Sequence, residues 1–185
     1  MRIITGKARG ITLKTLAGTN TRPTADRVKE AVFSMIQFDI EGRTVLDLFA
    51  GSGQLGLEAL SRGAASATFV DKAKDAIAIV KENALKTKLF DSTEIIQAEY
   101  LDFIRSSSGK QYDLIFLDPP YALNMYAPAL NALFDFNMLK PSSLIICESD
   151  SADILKENEE LCRKFTLERC NKYGNTYIAL LKINS

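Results

Sequence analysis

No histidine occurs among the 185 residues. That removes His-dependent triads, an imidazole general base and histidine metal ligands from consideration. Any chemistry must rest on carboxylates, backbone groups, tyrosine and a cofactor. Cysteine is scarce as well: Cys147, Cys162 and Cys170 are far apart and form no CxxC pair, which excludes a disulfide framework and a zinc site. No metal is expected. Long apolar runs are missing too. Leu114 to Leu117 and Leu144 to Cys147 are far shorter than the roughly 20 residues a membrane span needs. Residues 1–7 lack the hydrophobic stretch of a signal peptide, so a soluble cytoplasmic protein is expected. Net charge is also absent, with 23 basic residues against 23 acidic ones, so bulk charge points to no polyanionic partner.

The distribution of that charge says more. Residues 1–25 hold Arg2, Lys7, Arg9, Lys14 and Arg22 and no acidic residue, leaving 18 basic against 23 acidic residues in the remainder. A basic amino-terminal arm on an acidic body suggests a localised polyanion contact, and on charge alone a solvated charged hairpin reads equally well. Apolar residues make up 46% of the chain, enough to bury the core of one compact domain.

Two short strands, Arg2–Thr5 and Ile11–Leu16, read as a hairpin around a glycine-containing turn. Residues 1–22 are therefore expected to form an arm, with the domain proper over residues 23–185. A helix then begins with Thr24 as N-cap and Asp26 in its first turn. Val28, Ala31, Val32, Met35 and Ile36 form its inward face, which leaves Arg27 and Lys29 on the exposed side. From residue 43 onward strands and helices alternate. Strands are predicted at Thr44–Phe49, Ala67–Val70, Glu94–Gln97, Asp113–Leu117 and Ser143–Cys147. Helices are predicted at Gln54–Ser61, Ala73–Lys86, Asp102 to about Ser106, Tyr126–Phe136 and Ala152 to about Leu161. Such alternation implies an α/β fold with a parallel sheet covered on both faces. The tail differs: Phe165–Cys170 and Thr176–Lys182 flank a turn at Tyr173–Asn175 and read as an antiparallel hairpin.

Residues 45–56 read Val-Leu-Asp-Leu-Phe-Ala-Gly-Ser-Gly-Gln-Leu-Gly. Gly51, Gly53 and Gly56 match GxGxxG between a strand and a helix, and Asp71 ends the next strand. Alone this is a dinucleotide fingerprint. Asp47 argues otherwise, because a carboxylate at the end of the first strand would repel a pyrophosphate at the helix amino terminus. It would instead hold an ammonium group. S-adenosylmethionine presents one, together with an adenosine ribose for Asp71, and the glycines let backbone approach the ligand closely. No Lys-Ser/Thr follows the glycines, so a nucleotide-triphosphate P-loop is excluded. Phe49 in the same loop and Glu99 after the third strand complete the candidate cofactor set, though Glu99 reads equally well as a charge at a helix amino terminus.

The strand Tyr112–Leu117 empties into Asp118-Pro119-Pro120-Tyr121. Two prolines stiffen the loop and remove N–H donors, leaving carbonyl acceptors. The Asp118 carboxylate and the Pro119 carbonyl can accept both hydrogens of an exocyclic NH₂, while Tyr121 offers a face on which a base stacks. Accepting both N–H bonds turns a delocalised nitrogen lone pair toward an in-line methyl transfer.

Asp47–Gly53, Asp71 and Asp118–Tyr121 resemble class I methyltransferases acting on exocyclic amines. Residues 2–10, Arg22-Pro23-Thr24, the run from Asp26 to Phe33, and Lys172-Tyr173-Gly174 resemble the RsmD family of bacterial 16S rRNA guanine-N2 methyltransferases. The resemblance covers nearly the whole chain. It implies a Rossmann-like, mostly parallel sheet of seven strands ending in an antiparallel hairpin, and a guanine substrate within an assembling small ribosomal subunit. The basic residues Arg2, Lys7, Arg9, Lys14, Arg22, Arg27 and Lys29 are then candidate RNA contacts, and a monomer is expected. Three other readings stand beside it: an adenine-N6 methyltransferase on DNA or RNA, a non-catalytic RNA-binding assembly factor with the same fold, and, last because of Asp47, a nicotinamide oxidoreductase.

Overall fold

The computed structural model describes residues 1–16, 23–120, 125–152, 154–155 and 158–184, with side chains of residues 23–25 excepted. Seven strands form one sheet: β1 Thr44–Asp47, β2 Ser66–Asp71, β3 Thr93–Gln97, β4 Tyr112–Leu117, β5 Leu139–Ser149, β6 Phe165–Tyr173 and β7 Thr176–Ile183. Their spatial order is β3-β2-β1-β4-β5-β7-β6. The first five are parallel, and β7 pairs antiparallel to both β5 and β6. Among the described residues six α-helices accompany them, α1 Pro23–Met35, α2 Gln54–Ser61, α3 Lys74–Lys86, α4 Tyr100–Ser106, α5 Tyr126–Asp135 and α6 Glu159–Lys164, with a short 3-10 turn at Phe90–Ser92. The expected seven-stranded, mostly parallel fold with its antiparallel last hairpin is therefore what the chain adopts. No helix among the described residues is long and apolar enough to cross a membrane.

The alternation of strand side chains divides the core in two. Val45, Leu114, Phe116, Leu144 and Ile146 face one side, where α1, α2, α3 and the amino-terminal segment pack. Leu46, Ile115, Leu117, Ile145 and Cys147 face the other, under α4, α5 and α6. A buried strand apolar at every position is the expected result of helices on both faces. Gly56 sets the fit of α2 on β2, since a Cβ there would lie 2.3 Å from the Phe69 ring.

Three local expectations give way. The amino-terminal strands shrink to one antiparallel bridge, Arg2 with Thr12. The backbone between them bonds to α2 instead: Ile4 and Thr5 N–H donate to the Glu58 carboxylate, Lys7 N–H to the Ser61 carbonyl and Ala8 N–H to Ser61 Oγ. Gly6 is pressed so close that a Cβ would fall 1.8 Å from the Ser61 carbonyl oxygen. Helix α1 begins at Pro23 rather than after a Thr24 cap, consistent with a fixed φ and a missing N–H suiting a first helical position. The last helix begins only at Glu159, because Asn158 caps it by accepting the Leu161 N–H; the described residues of 152–155 are not helical.

Lys29 is the larger correction. It is 1% exposed, donates to the Arg2 carbonyl and lies 3.3 Å from Glu58, itself 0% exposed. Phe33 is buried as well, which rotates the inward face of α1 toward Val28, Lys29, Val32, Phe33 and Ile36. Lys29 therefore holds the amino-terminal segment to α2 and cannot contact RNA. Burial lowers its pKa against the pull of Glu58. Arg27 stays exposed.

Candidate active site

Strand order reverses beside β1: the chain goes outward through β2 and β3, then returns to place β4 on the other flank. Ligand clefts of open α/β sheets form at this switch, beyond the carboxyl ends of the strands. A cleft of about 640 Å³ lies there, and Asp47, Asp71, Glu99, Asp118 and Glu148 all line it. Each comes from a strand end or the residues just after one. Phe49, Gly51 and Pro119 line it too, and Lys72 is its one positively charged side chain among the described residues. Most of the candidate cofactor and catalytic residues are thus brought together. Tyr121 and Arg22 lie outside the described residues, and Gly53 sits behind the loop against Val80.

Backbone amides hold three of these carboxylates. Asp47, 2% exposed, accepts the Gly56 N–H at 3.0 Å and so occupies the first turn of α2. That is where a dinucleotide pyrophosphate would dock, which removes the structural basis for that alternative. Burial pushes the Asp47 carboxyl up to about 7, against the Gly56 hydrogen bond and with help from nearby Asp71. Asp71 accepts from Gly51 N–H at 2.9 Å and from Ala73 N–H at 2.8 Å, which ties the glycine loop to the end of β2. Glu99 caps α4 through Leu101 N–H, so its helix-terminus reading holds while it also lines the cleft.

Asp118 follows β4 directly, and the register that sets Leu117 against Cys147 brings it beside Glu148 on β5. Burial, then the Glu148 and Asp47 charges, raise its pKa well above the usual carboxylate range. Positions 47, 118 and 148 continue the sheet face of Val45, Phe116 and Ile146, so three carboxylates share one face at the carboxyl edge of the sheet.

Sequence reasoning missed two contributors. Glu148 carried no motif; only the pairing of β4 with β5 finds it. Asn83, 0% exposed on α3, accepts the Lys14 N–H at 2.8 Å and donates to the carbonyls of Lys14 and Ser52, each at 2.9 Å. It clamps the amino-terminal segment to the glycine loop, and Met1, Thr15 and Leu16 form part of the cleft wall.

A parallel sheet in this order, with an acid-ended first strand, a glycine loop and an Asp-Pro-Pro loop over one cleft, is the class I methyltransferase fold. The chain belongs to the family described as conserved hypothetical protein 95, the RsmD family, which it matches over residues 1–182. It is 39% identical to the ribosomal RNA small subunit methyltransferase D of Haemophilus influenzae, over 90% of this chain and 88% of that protein. It is 35% identical to the protein of the same name in Escherichia coli, over 81% of this chain and 75% of that one. The solved structure of a methyltransferase candidate from Escherichia coli superposes with a TM-score of 0.85 at 30% identity, covering 100% of this chain and 98% of that one.

Proposed function

We propose that the protein transfers a methyl group from S-adenosylmethionine to the exocyclic N2 amine of a guanine in 16S rRNA, on an assembling small ribosomal subunit in the cytoplasm. One observation carries this reading: among the described residues, five carboxylates, one of them in an Asp-Pro-Pro loop, meet in a single cleft with one lysine. Such a cleft favours a cationic ligand and an amine donor, and disfavours a phosphate. The relatives named as small-subunit rRNA methyltransferases support the polymer.

The residues fit this donor. Asp47 offers a buried carboxylate to an ammonium group, Asp71 stands at the end of β2 for ribose hydroxyls, and Phe49 and Glu99 line the space between. When bound, S-adenosylmethionine supplies an electrophilic methyl group on a positively charged sulfur. The chain's own part is positional. Asp118 and the Pro119 carbonyl accept the two N–H bonds of the base amine, and the prolines keep that pair of acceptors stiff. A carboxyl raised by burial and by Glu148 takes a proton more readily than an ordinary one, so Asp118 receives the proton the alkylated nitrogen sheds. Tyr121 is assigned to base stacking.

Exposed Arg2, Lys7, Arg9 and Arg27, with Lys14 and Arg22, supply phosphate contacts from the 1–22 arm and the helix that follows it. Labelled methyl transfer to deproteinised rRNA and to 30S particles lacking the modification, followed by nucleoside analysis, tests the proposal. N2-methylguanosine is expected, with particles as the better substrate. N6-methyladenosine, or no label in either RNA, overturns it.

A further inference from the structure

Among the described residues one buried side-chain polar atom has no hydrogen-bond partner, Oε1 of Gln54. Its position is telling. Gln54 opens α2 directly after Gly51-Ser52-Gly53, and it lines the cleft. A side chain at a first helical position normally has room to turn its amide to water, which would satisfy the oxygen. Here the oxygen is withdrawn from solvent and has no donor among the described residues, which costs the ligand-free fold some stability. A ligand donor in the cleft would offset that cost.

The neighbours define that donor. Asp47 accepts the N–H of Gly56, two residues further along the same helix turn, and Gln54 and Asp47 both line the cleft. Asp71, the residue assigned to ribose hydroxyls, bonds to Gly51 at the opposite end of the glycine loop. Because Gln54 shares the first turn of α2 with the amide that anchors Asp47, we take the group it meets to be the one Asp47 attracts, which is cationic and rich in N–H bonds. We propose that Gln54 is a binding residue for the amino-acid end of the methyl donor, its Oε1 accepting a hydrogen bond from the ammonium group that Asp47 neutralises. The inference rests on the donor reading above and assigns Gln54 a role within it.

The test compares two ligands that share adenosine and differ in the amino-acid end. S-adenosylhomocysteine carries the ammonium group; 5′-methylthioadenosine does not. Gln54→Met keeps length and helix propensity while removing the amide. In calorimetry it should weaken S-adenosylhomocysteine binding roughly tenfold, the scale of one hydrogen bond to a charged group. Binding of 5′-methylthioadenosine should change by less than about twofold. The ligand-free variant should melt no lower than the parent, because an unsatisfied buried oxygen has been removed. Equal weakening of both ligands, or unchanged S-adenosylhomocysteine affinity in a folded variant, overturns the proposal. Should Gln54→Met fail to fold, Gln54→Ala gives the same two-ligand comparison with the vacated space open to the cleft. A parent protein that binds neither ligand refutes the donor reading itself, and Gln54's role with it.

Discussion

Asp113 and Asp118 stand at opposite ends of β4, and their surroundings are opposite in kind. Asp113, at the amino edge of the sheet, accepts from Thr44 N–H at 2.9 Å, Thr44 Oγ1 at 2.7 Å and Lys140 Nζ at 2.7 Å. Burial would raise its pKa, but Lys140 and Thr44 together hold it below the usual range. Glu94 at the same edge is held low chiefly by Lys110, with Thr68 assisting. At the carboxyl edge the charged neighbours of Asp118 are Glu148 and Asp47, and the shift reverses. One edge neutralises its carboxylates with cations and the other concentrates them around a cleft. The first arrangement serves the fold, and the second is the one the proposed function assigns to a ligand.

Substituting at both ends of β4 tests this contrast most severely. Asp118→Ala should cut the methyl-transfer rate by roughly 10²-fold or more while donor affinity stays near normal, the scale of losing one transition-state acceptor. Asp113→Asn should lower the melting temperature and leave the rate per folded molecule intact. Near-normal turnover by Asp118→Ala would erase the distinction between the edges.

A second substitution asks whether the acidic edge holds the donor. Asp71→Ala should weaken S-adenosylmethionine binding by about 1.5–3 kcal/mol, the range for a hydrogen bond to a charged group. Unchanged calorimetric affinity would remove Asp71 from the site.

The two edges should also respond oppositely to pH. A carboxyl raised in the folded state, such as Asp47, resists ionisation there, so its contribution to ligand-free stability declines as pH rises from about 4 toward about 7. Asp113 and Glu94 are lowered, so their contribution is present above about pH 4 and is lost on acidification. A cationic donor favours ionised Asp47. Affinity should therefore climb between about pH 5.5 and 7, before an α-amino group of pKa about 8 loses much of its own proton, and binding should release protons. Calorimetry in buffers of different ionisation enthalpy measures both. Flat affinity would mean that Asp47 does not meet the cation.

The smallest effect concerns the basic segment beside the acidic cleft. Replacing Lys7 and Arg9 with alanine should weaken particle binding several-fold and flatten its salt dependence by up to about two counterions, with the melt unchanged because both side chains are exposed. Truncating residues 1–16 is a different experiment. Ile3, Ala8 and Leu13 are core residues, so that deletion should unfold the domain. An unchanged salt slope in the double variant would place RNA elsewhere.

The sequence by itself determined the strand–helix alternation, the glycine loop, the two strand-end aspartates and the Asp-Pro-Pro loop. These are local in origin: period-two alternation, proline's fixed φ and a carboxylate at a strand's end act over a few residues. Most of the cleft was legible for the same reason, since parallel strands deliver their carboxyl ends to one edge. Tertiary structure decided what depends on distant partners. Lys29 reads as an exposed helix charge until Glu58, on α2, and the Arg2 carbonyl meet it in the core. Asn83 looks like any polar residue of an amphipathic helix until Lys14 and Ser52 close on it. Glu148 joins the cleft through sheet register, and Gln54 stands out only because packing buries its oxygen. A polar side chain's role depends on which partners packing supplies or withholds, and no neighbouring residue in the chain encodes that.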